Sequence, residues 1–399
     1  MTRPLQRVRI AILVNNLELG GAERVVLNWL AGVDLAEVEP TLILLANVGE
    51  LRNEVPEGVE VHCLYPSKEA QPSRFPWVAL RGLAKLGAVL RKQDLLVGTG
   101  PATHVLAWIW GTVLRKAWVA WVHYVWGASE LTGRMGSLTR LAYAKSRYFV
   151  FVSNAARDAF RYSGLLTPHS VLTVVHNPLG RTAAPSITAS KLAAAIAKRK
   201  GPAALFVGRL AAVKNVEALI QAIGIIRESA PSSFLAVVGD GAELNHLVAA
   251  AASLFENERN EGRGDGNPPV LFLGVDPSPS PAMRLASVLA MSSTSESWGM
   301  AAVEAMSQGT PVVAFDAPGG LREIVNPDGC PARGALAPMG DVPELARRML
   351  PYLADPSLKT KASAECRRYA GEFDMPNLWP LWREVVAKAV AKPRGGVHA

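Results

Sequence analysis

Two carboxylates, Glu296 and Glu304, flank Trp298, Gly299 and Met300 in the segment SESWGMAAVEAMSQGTPVVA. The apolar run SVLAMSS before it, the turn SESWG, and MAAVEAMSQG closed by Gly309 and Pro311 predict strand, turn and helix. At the start of such a helix the backbone N–H groups of Trp298, Gly299, Met300 and Ala301 lack intrahelical acceptors. They would point out from the carboxyl edge of a sheet, where Gly299 lets a ligand approach closely, which suits phosphate or sugar oxygens. Ionised carboxylates only accept hydrogen bonds, so Glu296 in the turn and Glu304 in the second helical turn fit the paired hydroxyls of a sugar and a ribose. Taken singly, each reads better as a helix-start carboxylate or a surface residue. Their joint context changes that.

A second constellation is LFVGRLAAVKN, read as a strand, a glycine turn, and then Arg209 and Lys214 at the start of the next helix. Cations at the carboxyl end of a strand can neutralise a diphosphate leaving group, and at a helix start they oppose the dipole and so ask for an anion. The sequence holds no Asp-x-Asp pair, the common carboxylate grip for a metal-bound nucleotide, and no metal site is expected. In NNLELGGAERVVLNW, Gly20 and Gly21 follow the first strand; the spacing is a poor match to the dinucleotide fingerprint, yet a double glycine exposes backbone amides to a phosphate or an acceptor. His123 ends the apolar strand AWVAWVH, a setting in which a satisfied core histidine is common, but its place on the carboxyl edge makes it a candidate. Asp240 in VVGDG reads as turn chemistry.

The elements that must position these residues alternate throughout. Short β-branched runs at VRIAILV, PTLILLA, VEVHCL, DLLVGT, AWVAWVH, YFVFVS and VLTVVH are separated by helical periodicities beginning near Ala22, Phe75, Thr103, Glu130 and Asn154. The second half repeats the pattern at AALFVG, FLAVVG, VLFLG, SVLAMSS, TPVVAF and RGALA, with helices after Lys214, Gly241, Ser280, Gly299, Gly319 and Asp341. Such alternation is the mark of parallel sheets with crossover helices. The expected class is α/β, two Rossmann-like lobes facing across a crevice: residues 1–178, a linker at 179–190, a second lobe at 191–374, and a closing helix with a tail at 375–399 that returns toward the first lobe. The polar stretch 256–269 reads as a surface loop without chemistry.

With 399 residues, 49% hydrophobic and 19% charged, the chain has enough apolar material for two cores. Its longest apolar stretch, Val105 to Val125, is interrupted by Arg115 and Lys116 and is not a membrane span. After MTRPLQRVR the run IAILV is too short for a signal core, so a cytoplasmic location is expected, with peripheral contact at the inner membrane face as an extension. Cys63, Cys330 and Cys366 have neither disulfide nor zinc spacing. Residues 1–200 carry a formal net charge of +11 against −3 for the rest, so the first half is expected to meet an anionic surface, either phospholipid or a phosphorylated substrate. Nucleic acid is not expected, because no basic motif is interleaved with aromatics. The segment PSRFPWVALRGLAKLGAVLRKQ, mixing Phe75, Trp77, Leu80 and Leu83 with Arg74, Arg81, Lys85, Arg91 and Lys92, reads equally as a lipid-docking helix or as a crossover helix with a basic outer face.

In their order, GGAERV, the strand-end His123, VSNAARD, VVHNP, VGRL with Lys214, VVGDG, FLG and the two glutamates with their trailing GTPVVA resemble glycosyltransferase family 4, retaining enzymes of the GT-B fold. The resemblance runs from about residue 8 to 390. It implies that Arg209 and Lys214 hold a donor diphosphate, that Glu304 binds ribose hydroxyls, and that Glu296 with the amides of Trp298, Gly299 and Met300 holds the transferred sugar. It further implies His123 near the reacting side, the backbone near Val275 against the base, and Gly20 and Gly21 beside the donor phosphates and acceptor. The implied reaction moves a hexose-type sugar from a UDP- or GDP-sugar to a saccharide or lipid-linked acceptor in bacterial cell-surface polysaccharide or glycolipid synthesis. No separate cofactor or metal is implied, and the leaving phosphate helps deprotonate the acceptor. SESWG departs from the more frequent EGFG, and Trp298 is expected to reshape the sugar pocket. Two other readings stand beside this one: a non-catalytic sugar-nucleotide-binding subunit and a GT-B nucleotide-sugar epimerase.

Overall fold

The computed structural model describes residues 7–65, 76–125, 133–180, 190–256, 267–326 and 333–391. The chain divides into two compact units, Met1–Arg181 with Asp374–Ala399, and Thr182–Phe373. Most of the expected linker (181–189) and of the polar loop (257–266) lies outside the described residues, as does Cys330.

The first unit is built on a parallel seven-stranded sheet in the order β3-β2-β1-β4-β5-β6-β7. Its strands are β1 (Val8–Val14), β2 (Val38–Ala46), β3 (Glu60–Tyr65), β4 (Leu95–Gly98), β5 (Ala117–Val122), β6 (Tyr148–Phe151) and β7 (Val171–Val174). Their near-continuous apolar runs follow from burial on both sheet faces. On one face lie α2 (Pro76–Leu90), α3 (Pro101–Leu114), α4 (Gly133–Ala144) and α5 (Asn154–Arg161), over a core that includes Leu86, Val105, Tyr143, Phe149 and Phe160. On the other face α1 (Gly21–Gly32) packs with the last helix, α14 (Met375–Val390). There the Trp29 ring meets those of Trp379 and Trp382 edge-on at 6.3 and 5.7 Å, and Trp121 of β5 meets Trp382 at 4.7 Å. Large aromatics so arranged bury much area and fix α14 to the first unit although it comes last in the chain.

The second unit holds a parallel six-stranded sheet in the order β10-β9-β8-β11-β12-β13. It comprises β8 (Ala203–Val207), β9 (Phe234–Val238), β10 (Val270–Gly274), β11 (Val288–Met291), β12 (Val312–Phe315) and β13 (Gly334–Ala337). Its helices are α6 (Lys191–Lys198), α7 (Val216–Ser229), α8 (Leu244–Leu254), α9 (Ser280–Leu285), α10 (Met300–Ser307), α11 (Leu321–Val325), α12 (Val342–Ala354) and α13 (Pro356–Ala370). Two of these details differ from the sequence reading, and the third bears it out. Residues 191–198 form a helix capped by Ser190, whose Oγ accepts from the Ala193 amide. The helical stretch after Asp341 breaks in two at Asp355-Pro356, where the proline cannot continue an N–H ladder and Asp355 caps the new helix through the Ser357 amide. The stretch Val105–Val125 is the body of α3, a turn and β5, and no described helix is long and apolar enough to cross a membrane.

Strand order decides where a ligand fits. In the second sheet the chain runs outward from β8 to β9 and β10, then returns to place β11 on the other side of β8. The connections leaving β8 and β11 therefore start from adjacent strands at a reversal of strand order, the position at whose carboxyl ends open α/β sheets bind ligands. The first sheet has the same reversal between β1 and β4.

Candidate active site

The two loops at the β8/β11 reversal carry Arg209 and Lys214 on one side and Glu296, Trp298, Gly299 and Met300 on the other. Lys214 does not open α7. It closes a short 3-10 turn, Ala212–Lys214, followed by Asn215 in the left-handed conformation at φ 48° before α7 begins at Val216. This corrects the expectation of a cation at a helix start. The turn is held to the neighbouring loop, since Thr294 N donates to Val213 O at 2.8 Å and Ser292 Oγ bonds the carbonyls of Lys214 and Asn215 at 3.0 and 2.8 Å.

So held, Lys214 Nζ donates to Glu296 Oε2 at 2.5 Å, and Ser293 Oγ donates to the same oxygen at 3.2 Å. Both side chains of the pair are mostly covered, 22% and 15% exposed, so water screens their attraction less than at an open surface. Glu296 is fixed from behind as well. Its N–H donates to Pro318 O at 3.0 Å, and its carbonyl accepts from Gly320 N at 2.8 Å. Gly319 sits at φ 126°, where a methyl group would collide with the Glu296 carbonyl. Only glycine allows that approach. Ser293 and the Pro318–Gly320 brace were not singled out from sequence, although a Pro-Gly-Gly run just after a strand is the available signal.

Arg209 is different. It is exposed, and its guanidinium has no partner among the described residues. The loop beneath it is pinned: Gly208 N donates to Val238 O at 3.0 Å, and Leu210 N to Asp240 O at 2.8 Å. Gly239 and Gly241 pass so close to the carbonyls of Gly208 and Leu210 that a side chain on either would clash. VVGDG thus braces the loop that presents Arg209, with Asp240 accepting from its own Gly241 amide at 2.7 Å.

At α10, Gly299 is the N-cap at φ 108°. The Met300 and Ala301 amides have no acceptor among the described residues, as expected for a first helical turn. Trp298 corrects the sequence reading. Its side chain is 2% exposed and packs edge-on against Phe373 at 5.2 Å, with Gly320 against its ring, so it belongs to the core and its backbone alone is available at the turn. Glu304 is half-buried in the second turn of α10. Val275, 51% exposed, follows β10 beyond Gly274 at φ 75°.

In the first unit, Gly20 caps α1, and a Cβ there would strike the Glu23 carboxylate, whereas the space above Gly21 is open. His123 follows β5 with its ring tilted on Trp121 at 4.7 Å. Both ring nitrogens are covered and have no partner among the described residues. Burial, with a smaller contribution from charge on His104, pushes its pKa down to about 3, which makes the imidazole neutral at pH 7.

His104 was not singled out from sequence, being one histidine on an apolar helix. Its Nε2 lies 3.0 Å from Gly98 O and 3.3 Å from Trp121 O, both acceptors, so that nitrogen carries the proton. Nδ1 then accepts from the Tyr143 hydroxyl at 2.7 Å, which leaves the Tyr143 oxygen to accept from Tyr124 Oη. This directed chain joins the ends of β4 and β5 and holds residues on both sides of His123. Burial lowers the His104 pKa to about 4, keeping it neutral.

Comparison with known proteins bears on the family and the fold. The model for glycosyl transferases group 1 matches residues 190–372, and that for Glycosyltransferase Family 4 matches residues 19–179. The chain is similar to a 2-deoxystreptamine glucosyltransferase of Streptomyces kanamyceticus, 36% identical over 157 residues, 39% of this chain and 38% of that protein. It is also similar to the lipopolysaccharide core biosynthesis glycosyltransferase LpsE of Rhizobium meliloti, 28% identical over 266 residues, 65% of this chain and 70% of that one. The match spans well under half the length of the Streptomyces protein. Among solved structures, Anabaena Alr3699/HepE in complex with UDP and glucose superposes with a TM-score of 0.76 over 96% of this chain and 100% of that chain, at 21% identity. Two family models that between them cover most of the chain, and a pair of parallel-sheet lobes of matching fold, establish that this protein belongs to the group 1 glycosyltransferases of family 4, with the GT-B fold.

Proposed function

We propose that the protein transfers a hexose-type sugar, with retention, from a UDP- or GDP-sugar to a saccharide or lipid-linked acceptor in bacterial cell-surface glycoconjugate synthesis, at the cytoplasmic face of the membrane. The observation that carries this reading is the placement of Arg209, Lys214 and Glu296 on the two loops at the β8/β11 reversal, with the N-terminus of α10 ending the second loop. The Anabaena neighbour solved with UDP and glucose supports the donor class.

In this mechanism the bond between the anomeric carbon and the donor phosphate breaks, and the leaving nucleotide takes the electron pair. The acceptor oxygen forms the new bond on the same face, and its proton passes to a leaving phosphate oxygen. Arg209 meets the charge that grows on the diphosphate, and Lys214 shares its cation between phosphate and Glu296. These two cations supply the neutralisation without a metal. Glu296 and the amides at the start of α10 receive sugar hydroxyls, Glu304 the ribose hydroxyls, and the backbone at Val275 the base. His123, neutral and with both covered ring nitrogens lacking an internal partner, is assigned the reacting side of the sugar on the family resemblance, and Gly21 leaves room beside α1 for a phosphate or acceptor oxygen.

A panel of UDP- and GDP-sugars tests the proposal, read first by thermal shift and then by nucleotide release with and without acceptor sugars, in EDTA throughout. Transfer in EDTA with retained anomeric configuration is the expected result. Absence of any nucleotide-dependent shift overturns the donor site; binding without release leaves a non-catalytic subunit; and a changed sugar on intact nucleotide identifies an epimerase.

A further inference from the structure

The helices α2, α3 and α4 form one layer on the first sheet, and none of the three contains an Asp or a Glu. From Pro76 to Arg147 the sequence sets ten Lys and Arg against Asp94 and Glu130 alone, and Asp94 is taken up by Arg9, whose Nη2 donates to it at 2.9 Å. Successive crossovers β3 to β4, β4 to β5 and β5 to β6 run in one direction along the sheet, so the right-handed rule places all three helices on the same face. The contacts agree: the Trp110 ring of α3 lies against Gly87 of α2, and Thr139 of α4 donates to Pro101 O at the start of α3 at 3.4 Å.

The outward side of this layer is apolar as well as basic. Ile109 and Val113 on α3, and Met135, Leu138 and Leu141 on α4, are between 42% and 64% exposed. Ile109 and Val113 are one helical turn apart on α3, and Leu138 and Leu141 are one turn apart on α4 with Arg134 a turn before them and Met135 beside the row, so each helix carries a stripe and not scattered residues. The α4 stripe begins at Arg134 and is followed by exposed Lys145 just past the helix; Lys85 and Arg140 are exposed on the helices, and Arg91, Lys92 and Arg115 just beyond the ends of α2 and α3. Large apolar side chains left in water beside cations, with anionic side chains excluded, match the boundary between acyl chains and anionic headgroups: the side chains enter the first, and the Lys and Arg stems reach the second.

We propose that the outer face of α3 and α4, centred on Ile109, Val113, Leu138 and Leu141, docks on an anionic lipid bilayer surface. This deepens the proposed transfer to a lipid-linked acceptor and rests on that reading for its purpose, though its geometry is independent of it. It moves the lipid contact away from the helix indicated by sequence, whose side chains up to Arg81 lie outside the described residues, to two neighbouring crossovers.

Sedimentation of the full chain with vesicles tests it. Vesicles of phosphatidylcholine mixed with phosphatidylglycerol should pull down the protein, phosphatidylcholine alone should do so at least about tenfold less, and added salt should weaken the binding. The double variant Val113→Glu/Leu138→Glu should lose about tenfold or more in partitioning, while Val248→Glu, which alters an exposed apolar residue on α8 of the second unit, should not. Thermal melts confirm that each variant folds. Equal binding to both vesicle types, no binding, or an unaltered double variant overturns the docking face. So does a monomer–dimer shift caused by the double variant without loss of vesicle binding, which would assign the face to a second copy of the chain. A UDP-dependent thermal shift of the same protein without vesicles reads the transferase proposal separately. Docking without that shift leaves the surface standing and removes the donor site, and the shift without docking does the reverse.

Discussion

Lys214 Nζ lies 2.5 Å from Glu296 Oε2, although 82 residues separate them in sequence. A cation expected on the donor phosphate and a carboxylate expected on the donor sugar are thus one ion pair, formed where the loops leaving β8 and β11 meet. Lys214→Ala leaves Glu296 with Ser293 alone, and Glu296→Gln leaves Lys214 without its counter-charge. Each is expected to lower kcat on the order of 100-fold. The double variant should be no worse than about tenfold below the poorer single one, because residues that act as a unit are not additive. Steady-state rates of the three variants check this, and strictly multiplicative losses would separate the two roles.

Arg209 makes no side-chain hydrogen bond or ion pair among the described residues, so the fold does not need its charge. Arg209→Ala should therefore leave the unfolding free energy within about 0.5 kcal/mol of the parent. It should also reduce kcat roughly 100-fold, since the charge it meets grows in the transition state. Urea unfolding and single-turnover rates measured on one preparation distinguish this from a structural loss.

Gly319 is held at φ 126° against the Glu296 carbonyl. Gly319→Ala is expected to cost about 1–3 kcal/mol of stability and to displace the loop carrying Glu296. Activity should fall further than the stability loss predicts, while a surface glycine such as Gly58 changed to Asn should alter neither. Activity assayed well below each variant's Tm tests the difference.

Trp298 lies in the core against Phe373. Trp298→Ala should destabilise by about 3–5 kcal/mol, and Trp298→Phe by much less. Donor preference should be unchanged in the Phe variant, because the indole does not face solvent. A changed ranking of UDP-sugars in that variant would put the ring back into the pocket.

His104 is buried, and its folded pKa near 4 lies below the ordinary histidine value of 6.5. Its neutral form thus contributes stability that is complete above pH 6.5 and lost as pH falls toward 4. Between pH 7 and pH 5 the loss is roughly 2 kcal/mol from this group. Tyr143→Phe removes the donor to Nδ1 and should lower stability at both pH values, with a loss of activity larger than its stability cost if the chain positions His123. Urea unfolding at the two pH values, paired with turnover, reads both effects.

Much of the fold was open to reading from the residues alone. The thirteen strands among the described residues stand where short apolar runs predicted them, from VRIAILV to RGALA, because a parallel sheet buried on both faces demands uninterrupted apolar segments. The helix after SESWG and the turn at VVGDG were equally legible, since each rests on a local backbone requirement.

What the tertiary structure decided is everything that depends on strand order. Periodicity says that β8 and β11 exist, and only the sheet makes them neighbours. From that adjacency follow the closing of Lys214 onto Glu296, the brace of Pro318–Gly320 behind Glu296, and the turning of Trp298 into the core rather than toward a ligand. His104, Tyr143 and Tyr124 form a chain because α3 and α4 cross the same sheet face, an arrangement that no spacing along the sequence encodes. Local sequence sets backbone conformation through short-range sterics and hydrogen bonding, whereas the meeting of charges across 82 residues requires the long-range pairing of strands, which cooperative burial of the whole sheet selects.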